Sequence, residues 1–289
     1  AFAEDVESVE RGLRRLRKRG AKDGGVWGTR LLQVFGLPGA VVDRVRWMGQ
    51  YHSRFSDLPT SLAAELVQPW DRPPVSESPA RVWVLLARAS VALRRRASGV
   101  GGLLRQAALL APRAEPAAQV ELALVQAFVW SREAPARAEG APERAEVGLA
   151  GVAGLDHANL RARWVDQVAY GLNRPRTGAP DHAAAAALYR TIAADGPLFA
   201  QCRRANRLGW SLLKLGQAAE AQRQARLSVR AAGDLGSLRL RAMALNLLAA
   251  TSEGPAAGEA QARAQAIAAR LEDEALRLRF DRSRRRQRA

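Results

Sequence analysis

Cysteine occurs once, at Cys202, so the chain can form no disulfide within itself. Histidine occurs only at His52, His157 and His182, with no pair at a metal-ligating spacing. A single thiol excludes a cysteine-rich zinc site, and neither a metal nor a cofactor is expected. Lysine is confined to Lys18, Lys22 and Lys214, so nearly all of the 45 basic residues are arginine. No apolar run is long enough to cross a bilayer and no signal-peptide pattern opens the chain. The expectation is therefore no membrane span and a reducing, cytoplasmic setting. That expectation is limited by a start at Ala1 without Met.

Catalytic patterns are missing as well. The stretch 24-GGVWGTR-30 lacks the lysine and the preceding strand of a phosphate-binding loop, and no G-x-S-x-G elbow occurs. Asp166 and Asp181 lie in basic surroundings, where ion pairing is the expected role. No enzyme is expected.

What is present points to helices. Hydrophobic residues make up 48%, mostly Ala and Leu, while aromatics are only 6%. Ala, Leu, Arg, Gln and Glu favour helix, whereas strands want Val, Ile, Thr and aromatics. An all-α chain is predicted, and 289 residues suffice for one large core or two modest domains. The formal charge is +17. A near-complete preference for Arg over Lys is what a GC-rich genome imposes on codons, and also what an anionic partner selects. Either way the summed field attracts polyanions.

Along the chain, 4-EDVESVERGLRRLRKRG-20 runs from acidic to basic with Val6, Val9, Leu13 and Leu16 at helical spacing. Four prolines in 68-QPWDRPPVSESP-79 exclude a helix there. The expected organisation is an N-terminal helical unit over 1–67, a Pro-rich connection over 68–79, helical repeats over 80–280 and a basic tail over 281–289. The repeat region reads as ten helices in antiparallel pairs, covering roughly 80–96, 101–111, 116–131, 142–155, 158–172, 181–195, 198–215, 218–232, 236–251 and 256–279. Within it, 220-EAQRQARLSVRAAGD-234 matches 259-EAQARAQAIAARLED-273 after a shift of 39 residues.

The pair 204-RANRLGWSLLKLGQAAEAQRQARLSVRAAGD-234 resembles a tetratricopeptide repeat. Leu208 and Gly209 fall on its Leu-Gly pair, Gly216 on its turn glycine, and Ala221 and Ser228 on its small positions. A second unit fits at 80–112 through Trp83, Leu86, Ala87, Ala107 and Pro112. A weaker third at 158–197 keeps Ala185, Tyr189 and Pro197. The aromatics of the signature are absent at Ala205, Leu212 and Ala225. The resemblance implies a TPR-like, right-handed solenoid of about five helix pairs, with first helices lining a concave groove.

By that resemblance Arg203, Asn206, Arg207, Trp210 and Lys214 would face the groove, and fixed cations and amides suit an anionic group there. Residues 201–250 hold nine Lys/Arg against two acids, whereas 101–150 hold five against six. The expected partner is an acidic peptide or protein, with self-association of a fragment as another use. Alternatively these side chains form an ordinary solvated basic face, with Trp210 in the core.

Nucleic acid is the competing partner. In 28-GTRLLQVFGLPGAVVDRVRWMG-49, Val42 and Val45 fall where a helix-turn-helix wants apolar anchors, and Arg44 and Arg46 where it wants base readers. Leu32 departs from the pattern, because the helix crossing needs a small residue there. The tail adds Arg282, Arg284, Arg285 and Arg286 as phosphate contacts, or as a solubilising end. The segment 50-QYHSRFSDLP-59 reads as a ligand corner or a capped helix end, with Thr60 or Ser61 as the next N-cap. The seven tryptophans are expected mostly as core anchors.

Overall fold

The structure, a computed structural model, describes residues 6–19, 32, 34–133, 141–175 and 178–288. Among them are fourteen α-helices and a few short 3-10 turns, and no strand. The helices are α1 (Val6–Arg19), α2 (Gly39–Gly49), α3 (Thr60–Val67), α4 (Arg81–Arg95), α5 (Val100–Leu110), α6 (Pro116–Glu133) and α7 (Ala141–Leu149). They continue as α8 (Gly154–Asn173), α9 (His182–Arg190), α10 (Leu198–Lys214), α11 (Ala218–Asp234), α12 (Leu238–Ala250), α13 (Gly254–Arg270) and α14 (Glu274–Arg288).

The best-patterned stretch folds as its spacing dictates. Phe199, Cys202, Ala205, Leu208 and Leu212 of α10 are buried at intervals of three and four. Gly216 turns the chain in the left-handed region at φ +75°, which an L side chain resists. Ala221, Ala225, Ser228 and Ala232 then line the buried face of α11 with no exposure at all. Small residues let the helices approach closely. A Cβ on Gly209 would sit 2.6 Å from Leu247 Cδ2 and 3.3 Å from Gln224 Cβ, so this glycine admits both α11 and α12. The repeated segments fall on α11 and α13, offset by about one helical turn from perfect register.

The pairing follows the expected order, but the succession does not run open-ended. The alternate helices α4, α6, α8, α10, α12 and α14 each touch the next, and α14 returns to α4. These six form a closed inner ring. Helices α5, α7, α9, α11 and α13 pack outside, each against the two inner helices that flank it in sequence. The Pro-rich connection does not interrupt the packing: Val45, Met48, Phe55, Ala63 and Val67 share one apolar cluster with Val75, Val82 and Trp83. Gly49 lies so close to α4 that a Cβ there would meet the Trp83 carbonyl oxygen at 2.5 Å.

The closing joint explains where the sequence pattern misled. The helix expected over 256–279 is two helices, broken at Leu271–Asp273, with Glu272 at φ +50° and no glycine or proline to announce it. Asp273 is fully buried, and one of its oxygens accepts the Leu276 N–H at 3.0 Å, capping α14. Its other oxygen accepts Arg94 Nε at 3.1 Å and Arg239 Nε at 2.9 Å. Arg94 also donates to the carbonyls of Leu58 and Leu271, at 2.8 and 3.1 Å. The break further exposes carbonyls and a carboxylate to α3: Thr60 N donates to Leu271 O, and Ser61 N to Glu272 Oε2. Helix α3 thus starts at Thr60, with its entry hydrogen-bonded from the closing joint rather than by its own side chain.

Removing one member of a buried ion pair leaves the other charge uncompensated, at a cost of about 3–5 kcal/mol. Asp273→Ala strands both Arg94 and Arg239 and is expected to lower unfolding free energy by that order. Asp273→Asn keeps an acceptor for the α14 cap and should cost less. Urea unfolding followed by circular dichroism measures both, and equal stability of Asp273→Ala and wild type would show that the joint is not holding the ring.

Candidate functional site

Five of the six inner helices bury a polar or charged side chain: Arg94 from α4, Glu121 from α6, Arg163 and Asp166 from α8, Arg203 and Asn206 from α10 and Asn246 from α12. Arg279 of α14 is half-buried, within the field of Arg207 and Arg239. An amphipathic helix normally turns such groups to solvent, so their burial here calls for partners on neighbouring helices. Ion pairs account for several of them. Arg163 pairs with Glu121, both buried. Asp166 receives Arg203 at 2.7 Å and Arg207 at 2.8 Å, and accepts the Tyr189 hydroxyl at 3.2 Å. Burial by itself would raise the Asp166 pKa, but the two guanidinium groups outweigh it and hold the carboxyl below its ordinary range. The same carboxylate pushes Tyr189, already raised by burial, further above the ordinary phenol value.

The centre of this lining is filled from outside the ring. Tyr51 follows α2 and inserts its ring among Arg163, Arg203 and Arg239, whose guanidinium carbons lie 4.6, 5.3 and 5.2 Å from the ring centroid. Its hydroxyl oxygen accepts Arg239 NH1 at 2.6 Å and Arg203 NH1 at 3.5 Å. The ring also meets Phe199 edge-on at 6.3 Å. Beside it, Tyr51, His52, Phe199, Ser237 and Arg239 border a small, partly open cleft of about 10 Å³. Burial would raise the Tyr51 pKa, yet Arg239, Arg203, Arg163 and Arg207 together bring it down to about 7. Arg279 is half-buried in the same interior. Burial, with repulsion from Arg207 and Arg239, takes its pKa down to about 10.

The segment is moored on both sides of Tyr51. Asp156, in the first turn of α8, ion-pairs with Arg46 and accepts Gln50 Nε2 at 3.2 Å, with His52 Nε2 at the same distance. Its carboxyl pKa is held low by the His52 contact first and by Arg46. On the other side, Asp57 accepts Ser237 Oγ at 3.0 Å and the Arg239 N–H at 2.8 Å. The ten residues around 50–59 thus form a corner built against the N-terminal ends of α8, α10 and α12.

Of the residues singled out by the repeat resemblance, the structure brings Arg203, Asn206 and Arg207 to the interior. Arg203 and Arg207 share Asp166, and Asn206 donates to the Met243 carbonyl at 3.2 Å, tying α10 to α12. Trp210 is half-buried and Lys214 exposed at the end of α10. Arg46, read as a base contact, is ion-paired to Glu115 and Asp156, while Arg44 and Arg282 are exposed. The side chains of Arg284, Arg285 and Arg286 lie outside the described residues, and the backbone there is helical. Trp83 is a core residue as expected, but Trp47 is 39% exposed. Arg163 and Arg279 escaped the sequence reading. Their one signal is a charge on the apolar side of a helix, beside Leu160 and Val165 or Leu276 and Phe280.

Among the described residues no three His, Cys, Asp or Glu side chains gather as a metal site requires, and no helix is long and apolar enough to cross a membrane. Cys202 is buried against Ser228 and its thiol pKa is raised, a structural rather than reactive setting. No protein-family model, curated protein or solved structure matches the chain.

The chain has three tyrosines, and their environments separate them. Tyrosinate absorbance is expected to show one group ionising near pH 7, and Tyr51→Phe to abolish that step. Between pH 7 and the ordinary phenol value near 10, the folded chain has released this proton while the unfolded chain keeps it. The unfolded state then binds more protons, so the Tyr51 contribution to stability is absent below about pH 7 and grows toward pH 10. Wild type should gain stability over Tyr51→Phe across that window, and a constant difference would contradict it.

Proposed function

We propose that this chain is a non-enzymatic binding scaffold, an adaptor of the tetratricopeptide-like kind, that holds an acidic stretch of a peptide or protein partner against its inner helices. The observation that carries this reading is the charge balance of the lining. Five guanidinium groups, from Arg94, Arg163, Arg203, Arg207 and Arg239, share three carboxylates, Glu121, Asp166 and Asp273, and the half-buried Arg279 pairs with none among the described residues. A fold that only needed buried ion pairs would match cations to anions, because each unmatched buried charge costs several kcal/mol. A surplus of donors in a fixed arrangement is instead suited to an incoming anion, with arginine giving planar, bidentate contacts.

The ends of the inner helices extend the surface outward. The half-buried Trp210 and the exposed Lys214 toward the end of α10 would add an aromatic contact and a cation for such a partner. Arg44 and Arg282 add exposed charge elsewhere, which attracts nucleic acid without specifying sequence.

Fluorescence anisotropy with a labelled acidic peptide and with random duplex DNA, at low and moderate salt, tests the reading. Peptide binding that persists at moderate salt, and that Trp210→Ala and Lys214→Glu weaken roughly threefold to tenfold, is expected. DNA binding should fall steeply with salt. Peptide binding indifferent to both substitutions, or DNA binding that survives salt and is lost on Arg44→Ala, would overturn the adaptor reading.

A further inference from the structure

Tyr51 stands among the interior arginines without belonging to the ring. It enters from the segment after α2 and takes a position that no inner helix fills. The lining around it offers more than a phenol uses. Arg203 is only 7% exposed, and its Nε is buried without a hydrogen-bond partner. Arg279 makes no ion pair among the described residues, although Arg207 and Arg239 both repel it. A phenol oxygen brings at most one negative charge and two acceptor positions. A phosphate group brings up to two charges and three strong acceptor oxygens, which arginines bind in paired N–H contacts.

We propose that the axis of the ring is an oxyanion site suited to a phosphate group, and that Tyr51 is the chain's own occupant, displaced when the anion enters. This rests on the reading of the inner lining as the ligand-binding face, and adds both the chemistry of the ligand and the group it competes with. The donors are Arg163, Arg203 and Arg239, which surround the Tyr51 ring, together with Arg207 and Arg279; the first four each also pair with a carboxylate, and Arg279 with none among the described residues. Displacement would move only a connecting segment, because Tyr51 lies between helices and beside a small, partly open cleft, whereas every donor lies on a helix of the ring. The mooring contacts of Asp156 and Asp57 to Gln50, His52, Ser237 and Arg239 make entry compete with a defined internal interaction. A free phosphate ion and a phosphorylated side chain of a peptide partner present the same group.

The test uses the full chain, Tyr51→Phe, Tyr51→Ala and each of these combined with Arg279→Met, titrated calorimetrically with inorganic phosphate and with a phosphoserine peptide. Chloride at matched ionic strength is the control. Removing the internal competitor should tighten phosphate binding about tenfold or more in Tyr51→Ala, and by a smaller factor in Tyr51→Phe, which keeps the ring against Phe199. Arg279→Met should reverse most of that gain, and Arg282→Gln should not. Tighter binding of the peptide than of the free ion would assign the group to a partner's side chain, and the reverse to a small anion. No gain in either Tyr51 variant, an equal effect of chloride, or indifference to Arg279→Met would each overturn the proposal. Tyr51→Phe keeps the test decisive if Tyr51→Ala fails to fold. The two readings fail separately. Acidic-peptide binding that needs Lys214 without any Tyr51 effect defeats only this inference. Phosphate binding gained in Tyr51→Ala without acidic-peptide binding in wild type defeats only the adaptor.

Discussion

A ring of helices that closes on itself constrains every side chain pointing toward its axis, and the Asp273 joint is what makes the ring close. That carboxylate caps the last inner helix and receives arginines from the first inner helix and from α12. Without the break at Leu271–Asp273, α13 and α14 would continue as one helix, and α4 would have no carbonyls and no carboxylate to meet. The polar groups that an open solenoid would leave to water are instead gathered at low dielectric, where pairing and mispairing both count for more. The interior charges therefore follow from closure, not from any single helix.

The helices themselves were legible because helix formation is written locally. Buried residues at intervals of three and four, the turn at Gly216 and the small residues Gly209, Ala221 and Ser228 mark the α10–α11 pair well enough to set its boundaries within a residue or two. The ends of α14 and α13 were not legible, since Asp273 breaks the helix through contacts with Arg94 and Arg239, far off in sequence. Closure was hidden for the same reason. It depends on Arg94, Leu58 and Leu271 meeting, and no window of sequence contains all three.

The candidate site divides in the same way. Arg203, Asn206 and Arg207 were visible as a polar run on one helix, and they do converge on the interior. Their setting was not visible, because what stands opposite them is a tyrosine more than a hundred residues earlier. The corner at 50-QYHSRFSDLP-59 could be noticed for its crowding of aromatic and basic residues, but nothing local says that it reaches the axis. Arg163 and Arg279 went unread, although each is a charge on the apolar side of its helix, beside Leu160 and Val165 or Leu276 and Phe280.

The chemistry of Tyr51 bears on why a tyrosine stands among these arginines. A carboxylate there would be ionised throughout the neutral range and would neutralise the guanidinium groups permanently, as Asp166 and Asp273 do for their own partners. A phenol brought down to about 7 by Arg239, Arg203, Arg163 and Arg207 is only partly ionised near neutrality. It quiets the mutual repulsion of the arginines by cation–π contact and a partial charge, both weaker than a full ion pair. Arg279, with a pKa of about 10, remains a charge that this arrangement does not satisfy. An occupant of intermediate strength leaves the ring folded and its donors aligned while keeping them exchangeable, which a permanent carboxylate would prevent.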